Sequence, residues 1–556
     1  MGKKTIDTRL KSLLNADFER EGGDIGQPYL ENRIFTNRTI KMSRIKAVGF
    51  DMDYTLAEYK QDALDQLTMK LALNLLVDRN GYSEEILKIP YKPGFTIRGL
   101  VIDTLTGNVL KMDKFRYVSL AYHGLRPLDS DRRAAMYNAT RIDFHSGRYR
   151  SVDTLFELLE TYLFAAIIDH VDQAEGPRDD YTELYRDIRN AIDTCHSDGS
   201  LKKQIMSDPD HYIKSDPMLI PALHKFREAG KRLFVVTNSE PDYTDFMLTY
   251  LFRNASPFFK GWRHCFDLVG SAARKPTFFN EGQPLEIIED GDNLFFSGGN
   301  LDFLEERLRI KGDQVLYVGD HIYGDILKSK HSTHWRTCII VPELEFQVRA
   351  EEEAKPFLME LLANETRRKQ LTMELTWRRG QVYDLHQFKE SEADELERNH
   401  LERIDERIEE LDRQLEHHNR ELSDLLFQSR DLRRRISNTF NSYWGRLFKT
   451  GGQLSNFAEQ IRDYACIYTS AVSNFNFYNG QVYLESMVSP MPHEKNLYPV
   501  GDVNFDASLD GGRHPNELPL AEAVDLDPSS EEGIEEVEDR QEDLSTEESI
   551  TSPAPG

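Results

Sequence analysis

Cysteine and long apolar runs are both scarce in this sequence. The 556 residues include only four cysteines, and these match no spacing typical of zinc ligands. Scattered single cysteines are typical of reduced thiols rather than of a disulfide framework. No apolar run approaches the roughly 20 residues that a membrane-spanning helix needs, and the first residues lack the apolar core of a signal peptide. We therefore predict a cytoplasmic protein with no membrane partner.

Positive charge is also in short supply. The chain has 69 Lys and Arg against 95 Asp and Glu, a formal net charge of −26, which argues against a general nucleic-acid-binding protein. Residues 521–556 alone hold 13 acidic residues and a single arginine. The stretch 500–556, rich in Pro, Gly and acids, is predicted to be a disordered acidic tail. We expect no nucleic-acid partner.

The remaining sequence divides into segments by its apolar pattern. Residues 1–44 are polar and predict a helical lead-in. Residues 45–58 and 214–345 alternate short apolar strands with helices, which is the pattern of an α/β protein with a parallel sheet. Residues 59–213 lie between them and contain helices and a hairpin, whose turn is predicted at Thr106-Gly-Asn. The pattern therefore predicts an α/β core with an α+β domain inserted into it.

Long, charged helices follow the predicted core. Residues 346–480 are predicted to be a helical region, and apolar residues recur at heptad spacing over residues 401–436. A helical hairpin packed on its own chain and an intermolecular coiled coil both fit this pattern. The heptad helix favours a homo-oligomer, either a dimer or a tetramer.

The most informative stretch is a predicted buried strand that stops in acidic residues. The apolar run ending at Phe50 is followed by Asp51, Asp53 and Thr55. Ligands of parallel α/β sheets bind at the carboxyl ends of the strands, so reactive groups are expected here. Two carboxylates this close must share a proton or be separated by a cation, which implies a divalent metal. On its own, the motif would more often be an ordinary acidic turn.

Three further signals follow, each at the end of a predicted strand or the start of a helix. They are Thr237-Asn238-Ser239, Lys275, and Asp320 with Asp325. Together with Asp51 and Asp53, and in this order, they resemble the haloacid-dehalogenase (HAD) superfamily of phosphotransferases. The resemblance implies a HAD-type, Rossmann-like parallel sheet with an inserted cap domain and, here, a C-terminal extension of long helices.

The resemblance also implies a role for each of these residues. Asp51 would be the nucleophile that attacks phosphorus, and Asp53 the acid and base that transfers the proton. Asp51, Asp320 and the backbone carbonyl of Asp53 would hold Mg²⁺, while Asp325 would orient a water bound to it. Thr237 and Lys275 are implied to hold the phosphoryl oxygens, and Asn238 and Ser239 are implied to belong to the substrate-binding site.

Four longer stretches are similar to the cytosolic purine 5′-nucleotidase family. They are Gly49-Phe-Asp-Met-Asp-Tyr-Thr-Leu-Ala, Arg98-Gly-Leu-Val-Ile-Asp-Thr-Leu, Ala273-Arg-Lys-Pro and Tyr317-Val-Gly-Asp-His-Ile-Tyr-Gly-Asp. That family hydrolyses IMP and GMP and can transfer the phosphate to another nucleoside. The resemblance therefore implies an Mg²⁺-dependent 5′-nucleotidase whose partner is a purine nucleoside monophosphate.

By this resemblance, the insertion at 59–213 is the cap that selects the substrate. Arg189, Asp193 and His196 are separated by four and three residues, so they share one helix face. Arg189 can donate to the six-oxo group of a purine, and Asp193 can accept from its N1–H, which favours IMP and GMP over AMP. An ordinary ion pair between Arg189 and Asp193 on an exposed helix is the alternative.

Further residues of the insertion match the family's substrate site. The resemblance implies that Phe156 stacks on the base and that His196 and Lys202 contact the nucleotide. A place in the hydrophobic core is the alternative for Phe156.

The sequence departs from the family at the positions that align with its nucleotide-activator site. Asp153, His331 and Asp463 stand where the family has an amide and two cations. Because the loss of cations weakens a site for polyphosphate, we expect little stimulation by nucleotides.

Two other functions stay open at this point. One is a phosphatase of the same family whose cap has diverged to another substrate. The other is a catalytically weak scaffold that binds partners through the long helices and the acidic tail. The complete set of acids, with Thr237 and Lys275, argues for catalysis, because a scaffold has no need of all of them.

Overall fold

The computed structural model describes residues 28–291, 293–327, 333–392, 397–450 and 452–487. The strands in chain order are β1 (Phe35–Thr36), β2 (Ile40–Lys41), β3 (Ala47–Phe50), β4 (Leu100–Asp103), β5 (Asn108–Met112), β6 (Val118–His123), β7 (Arg126–Pro127), β8 (Tyr149–Ser151), β9 (Arg232–Val236), β10 (Leu268–Ser271), β11 (Gln283–Glu289), β12 (Leu294–Gly299), β13 (Val315–Gly319), β14 (Arg336–Ile340), β15 (Lys449–Thr450), β16 (Gln453–Leu454), β17 (Ile467–Thr469) and β18 (Tyr483–Leu484). The α-helices are α1 (Gln61–Asn80), α2 (Ser130–Tyr137), α3 (Glu157–Glu175), α4 (Thr182–Ser197), α5 (Ser200–Ser207), α6 (Pro209–Tyr212), α7 (Leu219–Glu228), α8 (Pro241–Leu251), α9 (Leu301–Leu308), α10 (Glu343–Ser391), α11 (Arg398–Thr439) and α12 (Asn456–Tyr464). The predicted acidic tail and the first 27 residues of the predicted lead-in lie outside the described residues.

The main sheet has the strand order β1-β17-β14-β13-β3-β9-β10-β12-β11. Its strands from β17 to β12 run parallel, and an antiparallel strand lies at each edge. Every residue of β3 and β13 is buried, as expected for parallel strands covered on both faces. The predicted α/β class with a parallel core sheet is therefore confirmed.

The sheet extends further than the sequence indicated. The last strand of the predicted core, β14, is an interior strand, and β17 and β1 lie beyond it. The region 346–480, predicted to be helical, thus contributes a strand, and residues 35–41 of the predicted helical lead-in form two short strands. Strands of two or three residues are too short to show a hydrophobic period, which is why the pattern missed them.

The insertion carries a second sheet, which is antiparallel throughout. Its order is β7-β6-β5-β4-β8. The pairing of Asp103 with Asn108 closes the β4–β5 hairpin around residues 104–107, which confirms the predicted turn. Helices α1, α3 and α4 pack on one another beside this sheet.

The long helices α10 and α11 pack against each other as an antiparallel hairpin. Arg367 of α10 binds Glu421 of α11 (2.7 Å), and Arg378 further along α10 donates to Gln414 (2.9 Å). The heptad residues buried in this hairpin are Ile408, Leu411, Leu432 and Ile436. Of the two arrangements that fitted the heptad pattern, the structure shows the hairpin within one chain.

Gly49 in β3 shows how tightly the core sheet is packed beneath the acidic motif. A Cβ atom at this position would lie 2.1 Å from Cζ of Phe234 in the neighbouring strand β9. We expect Gly49→Ala to lower the free energy of unfolding by about 1–3 kcal/mol, because overpacking a close-packed core is destabilising. Urea denaturation measures this change.

Gly380 offers a matched control on α10, since a Cβ there meets no atom within 4 Å. Gly380→Ala should stabilise the chain slightly through its helix propensity. Wild-type stability for Gly49→Ala would contradict the packing described for β3 and β9.

Candidate active site

Three neighbouring strands end in the residues that the sequence singled out. Strands β13, β3 and β9 lie side by side in the sheet. Asp51 follows β3, Thr237 follows β9 and Asp320 follows β13. Lys275 comes four residues after the next strand, β10. The carboxyl edge of the parallel sheet thus brings together residues from distant parts of the chain.

Three buried carboxylates form the centre of this site. Oxygen atoms of Asp51, Asp320 and Asp325 all lie within 4.8 Å of one another. Nζ of Lys275 is 2.9 Å from Oδ1 of Asp51 and 2.6 Å from Oδ1 of Asp325. One ammonium group therefore faces three carboxylates, and the cluster carries excess negative charge if all three are ionised.

The protonation of the cluster follows from this charge and its burial. Burial raises the pKa of Asp51 to about 7 although Lys275 opposes the shift, and the charge of Asp325 adds to it. Burial and the charges of Asp51 and Asp325 hold the pKa of Asp320 well above its usual range. Carboxylates in this state share protons or bind a cation. A divalent cation that takes oxygen ligands fits these residues.

A glycine allows the third carboxylate to come this close. Asp325 lies on a π-helical turn, Ile322–Leu327, and its Oδ2 accepts the backbone N–H of His321 (3.2 Å). A Cβ at Gly319, the last residue of β13, would lie 2.4 Å from Oδ2 of Asp325. Any side chain at position 319 would therefore displace the Asp325 carboxylate from the cluster.

The carboxylate of Asp53 lies outside the cluster and is held by hydroxyl groups. Tyr59 donates to its Oδ1 (2.6 Å), and Ser239 donates to its Oδ2 (2.8 Å). The Tyr59 hydroxyl is also 2.8 Å from that of Tyr243. Burial and the charge of Asp51 raise the pKa of Asp53. Because hydroxyl groups occupy its carboxylate, Asp53 would contribute to a metal site through its backbone carbonyl, which is the atom that the resemblance implied.

The Thr237-Asn238-Ser239 turn supports the neighbouring catalytic groups. The amide of Asn238 accepts the backbone N–H of Lys275 (2.5 Å) and donates to its backbone carbonyl (3.2 Å). Ser239 is engaged with Asp53, and its own N–H donates to Oγ1 of Thr237 (3.1 Å). Asn238 thus contacts the backbone of Lys275, and Ser239 contacts the carboxylate of Asp53. Their place in the substrate site stays a prediction.

On the insertion, Arg189 is surrounded by carboxylates. Its Nη1 is 2.9 Å from Glu160 and 3.7 Å from Glu157, and its Nε is 3.3 Å from Asp193. Burial raises the pKa of the Glu160 carboxyl group, and the positive charge of Arg189 opposes this rise. The predicted neighbours Arg189 and Asp193 do form the ion pair given as the alternative. Glu160, which the sequence did not single out, joins that pair from α3.

The other predicted substrate residues of the insertion lie near the turn after β3. Phe156 packs edge-on against Tyr54 of that turn and against His196, with ring centroids 4.7 and 5.4 Å apart. Burial lowers the pKa of His196. Nζ of Lys202 lies 5.3 Å from the ring centroid of Tyr243. The structure thus brings these residues together beside the Asp53 side of the site.

Comparison with known proteins identifies the family. The family model described as "5' nucleotidase family" matches residues 34–496. The chain belongs to the 5′ nucleotidase family. It is 28% identical over 487 residues to a 5′-nucleotidase domain-containing protein of Dictyostelium discoideum, covering 84% of this chain and 75% of that protein. It is also 28% identical over 493 residues to 5′-nucleotidase domain-containing protein 2 of Rattus norvegicus, covering 84% and 80%. The predicted family and enzyme class, a 5′-nucleotidase, are confirmed.

Two solved structures share low similarity with this chain. A predicted phosphoglycolate phosphatase from Haemophilus somnus is 13% identical with a TM-score of 0.24, covering 54% of this chain and 86% of that one. A HAD-hydrolase from Bacillus subtilis bound to magnesium is 17% identical with a TM-score of 0.20, covering 54% and 90%. Separately, none of the helices in the described part of the chain combines the length and hydropathy needed to cross a bilayer.

Arg98 is a residue of this 5′-nucleotidase-family site whose role the sequence did not show. Fully buried, it donates from Nη1 to the backbone carbonyl of Asp320 (3.0 Å). Its Nε and Nη2 bind the Glu343 carboxylate at the start of α10 (2.8 and 2.5 Å). Arg98 therefore connects the insertion, a predicted metal ligand and the long hairpin. Arg98 lies in a family-like stretch, but no sequence signal pairs it with a residue 245 positions away.

The residues aligned with the activator site of the family have structural partners of their own. Asp153 accepts from Ser151 (2.6 Å), and burial raises its pKa to about 6. Asp463 is half exposed, and its backbone carbonyl accepts from Arg38 (2.6 Å). His331 lies outside the described residues. The expected weak response to nucleotides stays a prediction.

The raised pKa of Asp51 predicts that metal binding depends on pH. Because the pKa of Asp51 is about 7 without a cation, a divalent ion must displace at least one proton below that pH. The affinity for Mg²⁺ should therefore strengthen as the pH rises from 6 to 7, by about fivefold from Asp51, because its deprotonated fraction rises from about a tenth to about a half. Above pH 7 the contribution of Asp51 should level off. Calorimetric titration in buffers of different ionisation enthalpy measures both the affinity and the protons released.

Asp51→Asn is the control for this measurement, because an amide has no proton to release in this range. The variant should release one proton fewer than the wild type. Equal affinity at pH 6 and pH 7 without proton release would contradict the described state of the cluster.

Proposed function

We propose that this chain is an Mg²⁺-dependent 5′-nucleotidase that hydrolyses IMP and GMP through a phosphorylated Asp51. The observation that carries the proposal is the cluster of Asp51, Asp320 and Asp325 around Nζ of Lys275. It supplies a nucleophile, ligands for a cation and a positive charge for phosphate at the carboxyl edge of one sheet. When bound by Asp51, Asp320 and the carbonyl of Asp53, Mg²⁺ would offset charge on the phosphoryl oxygens.

Asp51 is placed to attack with a defined oxygen. The backbone N–H of Met52 donates to its Oδ1 (2.7 Å), and Lys275 contacts the same atom. In the described part of the chain these contacts both fall on Oδ1, which leaves Oδ2 for the attack on phosphorus. A bond then forms between Oδ2 of Asp51 and phosphorus, and the bond from phosphorus to the nucleoside 5′-oxygen breaks.

Asp53 serves as the proton donor and acceptor. Burial and the charge of Asp51 raise the pKa of the Asp53 carboxyl group, which brings Asp53 closer to the range in which it can give a proton to the leaving 5′-oxygen. Tyr59 can reverse its hydrogen bond to suit either form of Asp53, because the Tyr243 hydroxyl lies 2.8 Å away as an alternative partner. Asp53 then takes a proton from the water that cleaves the phosphorylated Asp51.

Lys275 and Thr237 hold the oxygens of the phosphoryl group. The charges of Asp325 and Asp51 keep the pKa of Lys275 well above its usual range despite its burial, so the side chain stays cationic. The hydroxyl of Thr237 accepts from Ser239 and keeps its own hydrogen to donate to phosphate. If a nucleoside hydroxyl takes the place of water in the second step, the same groups support phosphate transfer.

The preference for a six-oxopurine rests on Arg189 and Asp193. Arg189 lies between Glu160 and Asp193, and these contacts fix its guanidinium beside the carboxylate of Asp193. A donor and an acceptor held side by side match O6 and N1–H of hypoxanthine or guanine, whereas adenine presents the opposite pattern.

A substrate panel tests the proposed function. Phosphate release should be fastest with IMP and GMP, at least about tenfold slower with AMP because its edge leaves polar groups unpaired, and absent without Mg²⁺. Asp51→Asn should abolish release while its thermal unfolding stays that of the wild type. Activity confined to sugar phosphates would indicate a diverged phosphatase, and no release from any phosphomonoester would indicate a scaffold.

Arg189→Met separates base recognition from chemistry. We expect kcat/KM for IMP and GMP to fall about 10–100-fold, since a charged hydrogen bond is lost. The rate with p-nitrophenyl phosphate, which has no base, should stay within about twofold. Arg186→Met on the same helix is the matched control, because Arg186 is an exposed residue paired with Glu183 (3.0 Å). Equal losses on nucleotides and on p-nitrophenyl phosphate would contradict base reading by Arg189.

A further inference from the structure

The helix α10 exposes an apolar stripe along much of its length. The stripe residues are Met359, Leu362, Met373, Trp377 and Phe388, whose exposed fractions are 53, 55, 66, 62 and 49%. They recur at intervals of three, four and eleven residues, so they share one face of the helix. An exposed apolar surface of this extent marks an interaction site in a soluble protein.

This stripe lies on the outer face of the α10–α11 hairpin. Leu371 and Leu375 are buried in the hairpin, and each precedes a stripe residue, Met373 or Trp377, by two positions. Two positions correspond to about 200° around a helix, so the stripe points away from α11. The heptad face of α11 is already covered by α10, which leaves the outer face of α10 for a partner.

The residues between the stripe positions carry two positive charges and one negative charge. The other exposed or half-exposed residues on this face are Lys355, Thr366, Lys369, Gln370, Gly380 and Asp384. A partner with a strong net charge would therefore meet no strong opposite charge on this face. The pattern instead fits a second surface of the same composition.

The face is complementary to itself in one antiparallel register. With a twofold axis between Lys369 and Gln370, Lys355 of one copy falls opposite Asp384 of the other. In the same register Met359 meets Gly380, Leu362 meets Trp377, and Thr366 meets Met373. Lys355 and Asp384 thus bring opposite charges together at both ends of the contact. Next to each end, the large side chain of Met359 faces Gly380. A twofold interface needs such self-complementarity, in which residue i contacts j and j contacts i.

We propose that a second copy of this chain docks antiparallel on the outer face of α10, with its axis between Lys369 and Gln370. The contact runs over the 30 residues from Lys355 to Asp384, about 44 Å at 1.5 Å per residue. The predicted homo-oligomer then uses α10, whereas the heptad helix 401–436 is occupied within each chain. The contact surface contains no residue of the active site, so this proposal stands independently of the proposed function.

Sedimentation velocity of the full chain from about 1 to 100 μM tests the interface. The wild type should approach twice the mass of the 64.5 kDa chain. Trp377→Glu should weaken self-association at least about tenfold, since it places a charge opposite Leu362 of the other copy. Phe427→Glu is the matched control, because Phe427 is 76% exposed but lies on α11, and it should dimerise as the wild type does. Phosphate release should be the same in all three proteins.

Cysteine cross-linking tests the register. Gln370→Cys lies next to the proposed axis and should form a disulfide between copies under mild oxidation, while Gln387→Cys near the end of α10 should not. The four native cysteines are buried and give little background. A monomer at 100 μM, an oligomer that Trp377→Glu leaves intact, or a dimer in which Cys-substituted position 370 fails to cross-link would each overturn the proposal.

Discussion

Excess negative charge at one buried corner of the parallel sheet is the constraint on which this structure depends. Asp51, Asp320 and Asp325 meet there; Lys275 contacts Asp51 and Asp325, and the charge of the buried Arg98 opposes that of Asp320. Such a cluster costs free energy unless it holds protons or a cation. A bound cation would therefore stabilise this charge arrangement, which is the condition expected of the proposed phosphotransferase site.

Much of the surrounding structure serves to hold these charges in place. Asn238 fixes the backbone of Lys275, and Ser239 with Tyr59 fixes Asp53. Arg98 reaches from the insertion to the carbonyl of Asp320 and to the first residue of α10. The inserted domain and the long hairpin are thus connected to the site by a buried guanidinium group, so that a displacement of either one would move the backbone at Asp320.

The sequence could predict the parts of the fold and site that have a strong local pattern. The strand before Asp51 is a continuous apolar run, the β4–β5 hairpin has its turn residues, and the heptads mark α11. Contacts between distant residues had no such signal. The pairing of Arg98 with Glu343 spans 245 positions. The hydrogen bonds of Asn238 to the backbone of Lys275 come from a turn whose sequence is equally typical of a phosphate-binding loop. Glu160 lies within an otherwise apolar helix, and nothing in the local sequence indicates its role. That role is visible only when the fold brings Arg189 beside it.

Trapping the phosphorylated enzyme tests the central claim most directly. The chain would be mixed with IMP carrying radioactive phosphate in the presence of Mg²⁺, quenched in acid within milliseconds, and digested for peptide mapping. The account predicts label on the peptide that contains Asp51, and loss of that label when Mg²⁺ is withheld or Asp51 is replaced by Asn. Label on a different residue, or phosphate release without any labelled peptide, would contradict it.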